Sequence, residues 1–154
     1  MSASVSVTKE KYLHEAQFAL FGCQLVEEGL KSYICTAYEG IRRSGVNAAI
    51  IKHTDGEIEE LALGPLIRLF EPLSSNAALV SKLKDLRPKR NYCAHKAFAL
   101  AFFADVRSSI DLRAEFQKVT EARVSAWDTF HMLTPELQSN ETRVNAPRPQ
   151  ETGG

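Results

Sequence analysis

The sequence predicts an all-α protein, an antiparallel up-down bundle of four main helices with one short helix inserted. In several long stretches, apolar residues recur every three or four positions, the spacing of amphipathic helices. Proline, glycine and hydroxyl-bearing residues lie between those stretches, where they can cap or end a helix. With 154 residues, 44% of them hydrophobic, the chain can build one core without disulfides. We therefore expect one helical domain at residues 1–133.

The first long amphipathic stretch predicts a helix between Thr8 and Gly45. Thr8 is a suitable N-cap, and Gly45 can adopt the left-handed conformation that ends a helix. Residues 47–60 carry mixed signals and are expected to form a connection, either a loop or a brief hairpin turning at Asp55-Gly56.

The prolines set the next predicted boundaries. A short helix is expected between Gly64-Pro65 and Pro72. Ser75 can cap the helix after it. Pro88 disfavours helical geometry at the residue before it and suits a first helical turn, so it should begin a separate helix that continues to about Val106.

The last main helix is expected to begin after Ser108, Ser109 or Asp111 and to reach Met132. From Thr134 onward the sequence is polar and rich in proline. Such a composition is typical of disordered chain, so residues 134–154 are predicted to be a tail.

Composition and charge favour a soluble, cytoplasmic protein. The 19 basic residues balance the 19 acidic ones, so any attraction to nucleic acid must come from local clustering. Cys23, Cys35 and Cys93 form no CxxC pair, which favours reduced thiols over a disulfide framework or a zinc site. The first residues lack the pattern of a signal peptide, and the longest apolar run is too short to span a bilayer. We expect no membrane association.

Cations do cluster in one stretch, residues 82–96, which we call the basic window. If Pro88 begins a helix, these cations surround a helix N-terminus, where the dipole and free backbone N–H groups favour anions. The window then predicts a phosphate-binding site, although an ordinary solvated helix face would have a similar composition. Six of the 19 basic residues lie in it: Lys82, Lys84, Arg87, Lys89, Arg90 and Lys96.

Arg90, Asn91 and His95 are the candidate catalytic residues of this window. In an α-helix Asn91 and His95 lie on one face, so Asn91 can fix the imidazole tautomer, whereas Arg90 lies about 140° away and must reach across. An imidazole can exchange a proton near neutral pH, and a guanidinium can neutralise charge on a pentavalent phosphate. A structural role for His95 is the alternative.

The stretch RNYCAH, from Arg90 to His95, resembles the Arg-x4-6-His signature of the HEPN superfamily, in which a polar residue such as Asn91 commonly follows the arginine. The stretch LGPLIRLF also resembles the second-helix region of bacterial members, and the likeness spans roughly residues 8–133. This resemblance implies a HEPN-like homodimer whose two motifs face each other across a cleft. It also implies metal-independent RNA endonuclease activity, as in toxins and antiphage defence proteins, with an antitoxin or another defence protein as a further partner.

For this chain, the expected reaction is attack by an RNA 2′-hydroxyl on the adjacent phosphodiester, which leaves a 2′,3′-cyclic phosphate. His95 would act as general acid or base, Arg90 would stabilise the phosphorane, and Asn91 would position the imidazole of His95. No metal or cofactor is expected. The residues expected to bind substrate phosphates are Lys89, Lys96 and Arg87.

The sequence leaves two other functions open. The same bundle could bind a nucleotide or a partner protein without cutting RNA, as a regulator, or the basic window could be an ordinary helix surface. Ala97 stands where toxins paired with a minimal nucleotidyltransferase carry a modified tyrosine, so silencing by that route is not expected.

Overall fold

A computed structural model describes residues 6–46 and 48–147, and all the regular elements in these ranges are helices. The all-α prediction is confirmed. The helices are α1 (Lys9–Ser44), α2 (Asp55–Glu59), α3 (Leu63–Phe70), α4 (Ala77–Tyr92), α5 (Phe98–Phe103) and α6 (Leu112–Asn145). A π-helical turn, Cys93–Ala97, joins α4 to α5, and two short 3-10 turns span Ala48–Ile50 and Glu71–Leu73.

Helix α1 has the ends that the sequence predicts. The Thr8 hydroxyl accepts a hydrogen bond from the backbone N–H of Lys11 at 3.1 Å. Gly45 has φ 67°, and its N–H donates to the carbonyl of Ile41. These two caps confirm the prediction for the first helix.

The connection after α1 contains a short helix instead of a hairpin. Thr54 and Glu57 form a reciprocal capping box at the start of α2, so Asp55-Gly56 lies in a first helical turn. Asn47, where the predicted connection begins, lies outside the described residues.

Pro88 does not begin a helix, because α4 passes through it. The missing N–H of Pro88 deprives the Lys84 carbonyl of its partner, but both residues are exposed and water can hydrate that carbonyl. Buried Leu83 and Leu86 keep the helix packed on its other side. The predicted second and third main helices are therefore one. Its N-cap is Asn76, which accepts from the N–H of Leu79 at 3.0 Å, and not Ser75.

The long helices alternate in direction, and α1 and α6 run parallel. Contacts between α1 and α6 ascend along both helices, from Glu15–Arg123 to Tyr33–Asn140. Contacts between α1 and the chain from α4 onward descend, from Glu27–Arg90 to Lys9–Asp105. The parallel direction of α1 and α6 follows from the unbroken α4, because only one long descending segment then lies between them.

The last helix begins where the sequence predicts but ends later. Asp111 caps α6 by accepting from the N–H of Arg113 at 2.9 Å. The helix continues past Pro135 to Asn145, and buried Asn140 donates to the carbonyl of Tyr33 at 3.0 Å. A tail beginning at residue 134 is thus wrong as far as residue 145, and residues 148–154 of the predicted tail lie outside the described residues.

The core has a large and a small part. The large one joins α1, α3, α4 and α6 around residues such as Leu30, Phe70 and Leu83. The small one lies between the first half of α1, the π-helical turn, α5 and α6, and consists mainly of small side chains: Ala16, Ala19, Cys93, Ala97, Ala101, Val119 and Ala122, with Tyr12. Among the helices of residues 6–46 and 48–147, none is long and apolar enough to cross a membrane.

Candidate functional site

The Arg90–His95 motif lies near the end of a helix and not at its beginning. Arg90 belongs to the last turn of α4, and His95 is in the π-helical turn that follows. Because α4 is continuous, the backbone N–H groups of residues 89–92 are engaged inside the helix. The predicted phosphate site made of free N–H groups at a helix start is therefore wrong, and any anion must be bound by side chains.

Arg90 forms an ion pair with Glu27 across the interface between α4 and α1. The Nε atom of Arg90 donates to Glu27 Oε1 at 2.7 Å, and the side chains are 20% and 11% exposed. Within the described part of the chain, neither Nη atom has a hydrogen bond. One edge of the guanidinium is thus fixed, while the other can still bind an anion.

Sequence reasoning missed Glu27, although the sequence holds a signal for it. Glu27 lies four residues after Cys23 and three before Leu30, on the apolar stripe of α1. An acid in such a stripe needs a partner, because a buried carboxylate without one is costly. The partner's identity depends on tertiary packing, which brings together residues 63 positions apart.

His95 is exposed and has no hydrogen bond or ion pair with the residues that the structure describes. The expected bond from Asn91 is not formed, and Asn91 is exposed as well. Because both side chains are exposed, water can satisfy their polar groups in place of that bond. The π-helical turn underwinds the helix between them, which brings Arg90 and His95 closer in angle than the 140° or so of an α-helix.

The cations of the basic window differ in their contacts and in their exposure to solvent. Lys84 is bound to Glu71 at 2.7 Å. The Arg87 guanidinium lies against α3, where a Cβ on Gly64 would be 2.9 Å from its Nε. Lys89 is half-buried and Lys96 is exposed. The three residues predicted to bind substrate phosphates, Arg87, Lys89 and Lys96, thus have different surroundings.

Two tyrosine hydroxyls form hydrogen bonds in the motif and directly after it. The Tyr92 hydroxyl donates to Glu115 of α6, and the Tyr12 hydroxyl donates to the carbonyl of Ala97 at 2.8 Å. Burial raises the pKa of Tyr12 and of Tyr92. At Glu115 burial acts to raise the pKa, but hydrogen bonds from Lys118 and Tyr92 outweigh it, and the pKa is lowered. Tyr92 therefore packs between helices.

The cysteines beside the motif are unsuited to nucleophilic chemistry. Cys23 and Cys93 are fully buried. Burial raises the pKa of Cys23 to about 12 and that of Cys93 to about 11, so both remain thiols near neutral pH.

Within residues 6–46 and 48–147, no three His, Cys, Asp or Glu side chains are grouped as metal ligands would be. Comparison of the chain with protein-family models, with curated proteins and with solved structures finds no match.

Proposed function

We propose that this protein is an RNA endonuclease of the HEPN type, acting as a homodimer. The observation that carries the proposal is the combination of Arg90 and His95. Glu27 fixes Arg90 through Nε, and the Nη edge of Arg90 is unbonded in the described part of the chain. His95, five residues later, is exposed. A fixed guanidinium and an accessible imidazole five residues later suit a reaction in which charge grows on a phosphate while protons move.

In the proposed reaction, the RNA 2′-oxygen attacks the adjacent phosphorus and the bond to the 5′-oxygen breaks. One His95 accepts the proton of the 2′-hydroxyl. A second donates a proton to the departing 5′-oxygen, which becomes a 5′-hydroxyl. The Nη edge of Arg90 stabilises the phosphorane, while Lys96, Lys89 and Arg87 bind neighbouring phosphates. Asn91 is exposed, and its side chain would contact the substrate and would not bond to His95.

A two-fold dimer would supply the second histidine. Each protomer has one His95, and an isologous interface near the motif brings two copies together. The apolar surface for such an interface is at the end of α5, where Phe102 and Phe103 are 64% and 50% exposed. The HEPN-like up-down bundle, the cytoplasmic location and a partner antitoxin or defence protein belong to the same proposal.

An RNA cleavage assay in EDTA tests the activity. We expect wild-type protein to cut single-stranded or structured RNA and to leave 2′,3′-cyclic phosphates. His95→Ala should lose turnover, while His53→Ala, a histidine on the connection between α1 and α2, should retain it. RNA left intact both in EDTA and in magnesium would refute the enzymatic proposal.

Binding without cleavage is the second candidate, and the exposed His95 favours it because no described residue holds its tautomer. A binding module should keep its affinity for RNA or nucleotide when His95 is replaced by alanine. The affinity for single-stranded RNA should then fall with salt by about 0.7 log units per log unit for each phosphate contact. A slope of zero would exclude RNA as the ligand.

A further inference from the structure

The π-helical turn is tied to the rest of the protein at both ends by tyrosine hydroxyls. Tyr92 immediately precedes the turn, and its hydroxyl donates to the Glu115 carboxylate on α6. Ala97 ends the turn, and its carbonyl accepts from the hydroxyl of Tyr12 on α1 at 2.8 Å. Each end is thus bound to a different long helix.

The bond between Tyr12 and Ala97 is buried, and the bond between Tyr92 and Glu115 is partly buried. Tyr12 and Ala97 have no exposed surface. The two tyrosine hydroxyls also interact with each other, which lowers the pKa of Tyr12 against the larger effect of its burial, and burial raises the pKa of Tyr92. Both hydroxyls therefore stay protonated donors across the physiological pH range.

A π-helical turn needs such support, because it is rare and amounts to one extra residue inside an α-helix. If residues 93–97 closed into α-helix, the chain after them would shift in register by one residue, about 100° of rotation. Ala97 and Ala101, which are buried in the small core, would then leave it. His95, on the same turn, would rotate relative to Arg90.

We propose that Tyr12 and Tyr92 are positioning residues, which hold the π-helical turn and thereby fix the position of His95 relative to Arg90. The consequence for RNA cleavage rests on the proposed function. The consequence for the structure does not, so the two can be tested apart.

The test compares Tyr12→Phe with Tyr33→Phe. Both replacements keep the ring and remove a hydroxyl that donates from α1 to a backbone carbonyl, that of Ala97 or that of Leu73. In Tyr12→Phe we expect amide exchange at residues 97–101 to become roughly tenfold faster, and the imidazole NMR signals of His95 to shift. Tyr33→Phe should change neither.

Cleavage kinetics give a second readout. Tyr12→Phe should lower kcat with little change in KM, because phosphate binding by the cations persists while the imidazole is misplaced. If wild-type protein cuts no RNA, the proposed function fails, and the exchange and NMR data alone decide on positioning. Tyr92→Phe is the second variant should Tyr12→Phe not fold. Unchanged exchange and unchanged His95 signals in a folded variant would overturn the positioning role.

Discussion

Arg90 Nε donates to Glu27 Oε1 at 2.7 Å between α4 and α1, in an ion pair whose side chains are 20% and 11% exposed. The arginine of the candidate site therefore also compensates a buried carboxylate. Removing it would leave Glu27 without a partner, which is costly in a poorly solvated position. Loss of activity in an Arg90 variant can thus reflect a loss of structure.

We expect Arg90→Ala to lower the free energy of unfolding by about 1–3 kcal/mol. Arg123→Ala is the matched control. Arg123 pairs with Glu15 across α1 and α6 but is 36% exposed, so this replacement should lower the free energy of unfolding by about 1 kcal/mol or less. Urea unfolding measures both. Equal losses in the two variants would contradict a greater dependence of Glu27 on its partner.

Glu27→Gln separates structure from chemistry at the same pair. The amide oxygen can still accept from Arg90 Nε, so the guanidinium should keep its place while the carboxylate charge is lost. We expect RNA cleavage to survive in this variant and to be lost in Arg90→Lys, which cannot present a planar edge to a phosphate. Cleavage that survives Arg90→Lys would remove the guanidinium from the proposed mechanism.

The close packing of α1 against α6 predicts opposite effects for two glycine replacements. A Cβ at Gly29 would lie 2.7 Å from Leu133 Cδ2, and Leu133 is fully buried. Gly29→Ala should therefore destabilise by about 1–3 kcal/mol, despite a gain in helix propensity of about 1 kcal/mol.

Gly56→Ala is its control, since Gly56 lies in α2 and a Cβ there meets nothing within 4 Å. It should stabilise by up to about 1 kcal/mol. Thermal unfolding of both variants measures the difference. A stabilising Gly29→Ala would mean that α1 and α6 are farther apart than described.

The cysteines predict a loss of stability in alkali. Burial raises the pKa of Cys23 to about 12 and those of Cys35 and Cys93 to about 11, from an ordinary value of 9.0. Above about pH 9 the unfolded thiols ionise while the folded ones stay neutral, so stability that is complete below that pH should fall as the pH rises towards 11–12.

Urea unfolding at pH 8 and pH 10 measures this loss of stability, and thiol labelling at pH 8 tests the burial on which it depends. The half-buried Cys35 should react first, and Cys23 and Cys93 only after denaturation. Fast labelling of Cys93 in the folded protein would show that the π-helical turn opens readily.

The sequence predicts the helical class, the caps of α1 and the start of α6, because these depend on local chemistry at Thr8, Gly45 and Asp111. It fails at two prolines. Pro88 and Pro135 both lie inside helices, and both are exposed, so water can hydrate the carbonyls that lose their partners. Whether a proline ends a helix thus depends on which side of the helix faces solvent, which the sequence alone does not reveal.

The candidate site shows the same limit. The motif is visible in the sequence, but its orientation depends on the π-helical turn, on Glu27 and on Tyr12, all of which follow from packing against α1. Helical spacing assumes 100° per residue, and a single π-helical turn invalidates it for every pair that spans residues 93–97.

The last prediction concerns the dimer. In the proposed reaction one His95 acts as base and a second as acid, and each protomer has a single His95. Phe102 and Phe103 are exposed at the end of α5, seven and eight residues after His95 in the chain, so an interface there would lie about two helical turns from the motif. We expect wild-type protein to be a dimer by light scattering. The double variant Phe102→Ser, Phe103→Ser should be monomeric and should lose roughly a hundredfold in turnover. Val46→Ser, which replaces a 69% exposed side chain just beyond the far end of α1, should change neither. A monomeric variant that keeps full turnover would show that one chain carries the whole reaction.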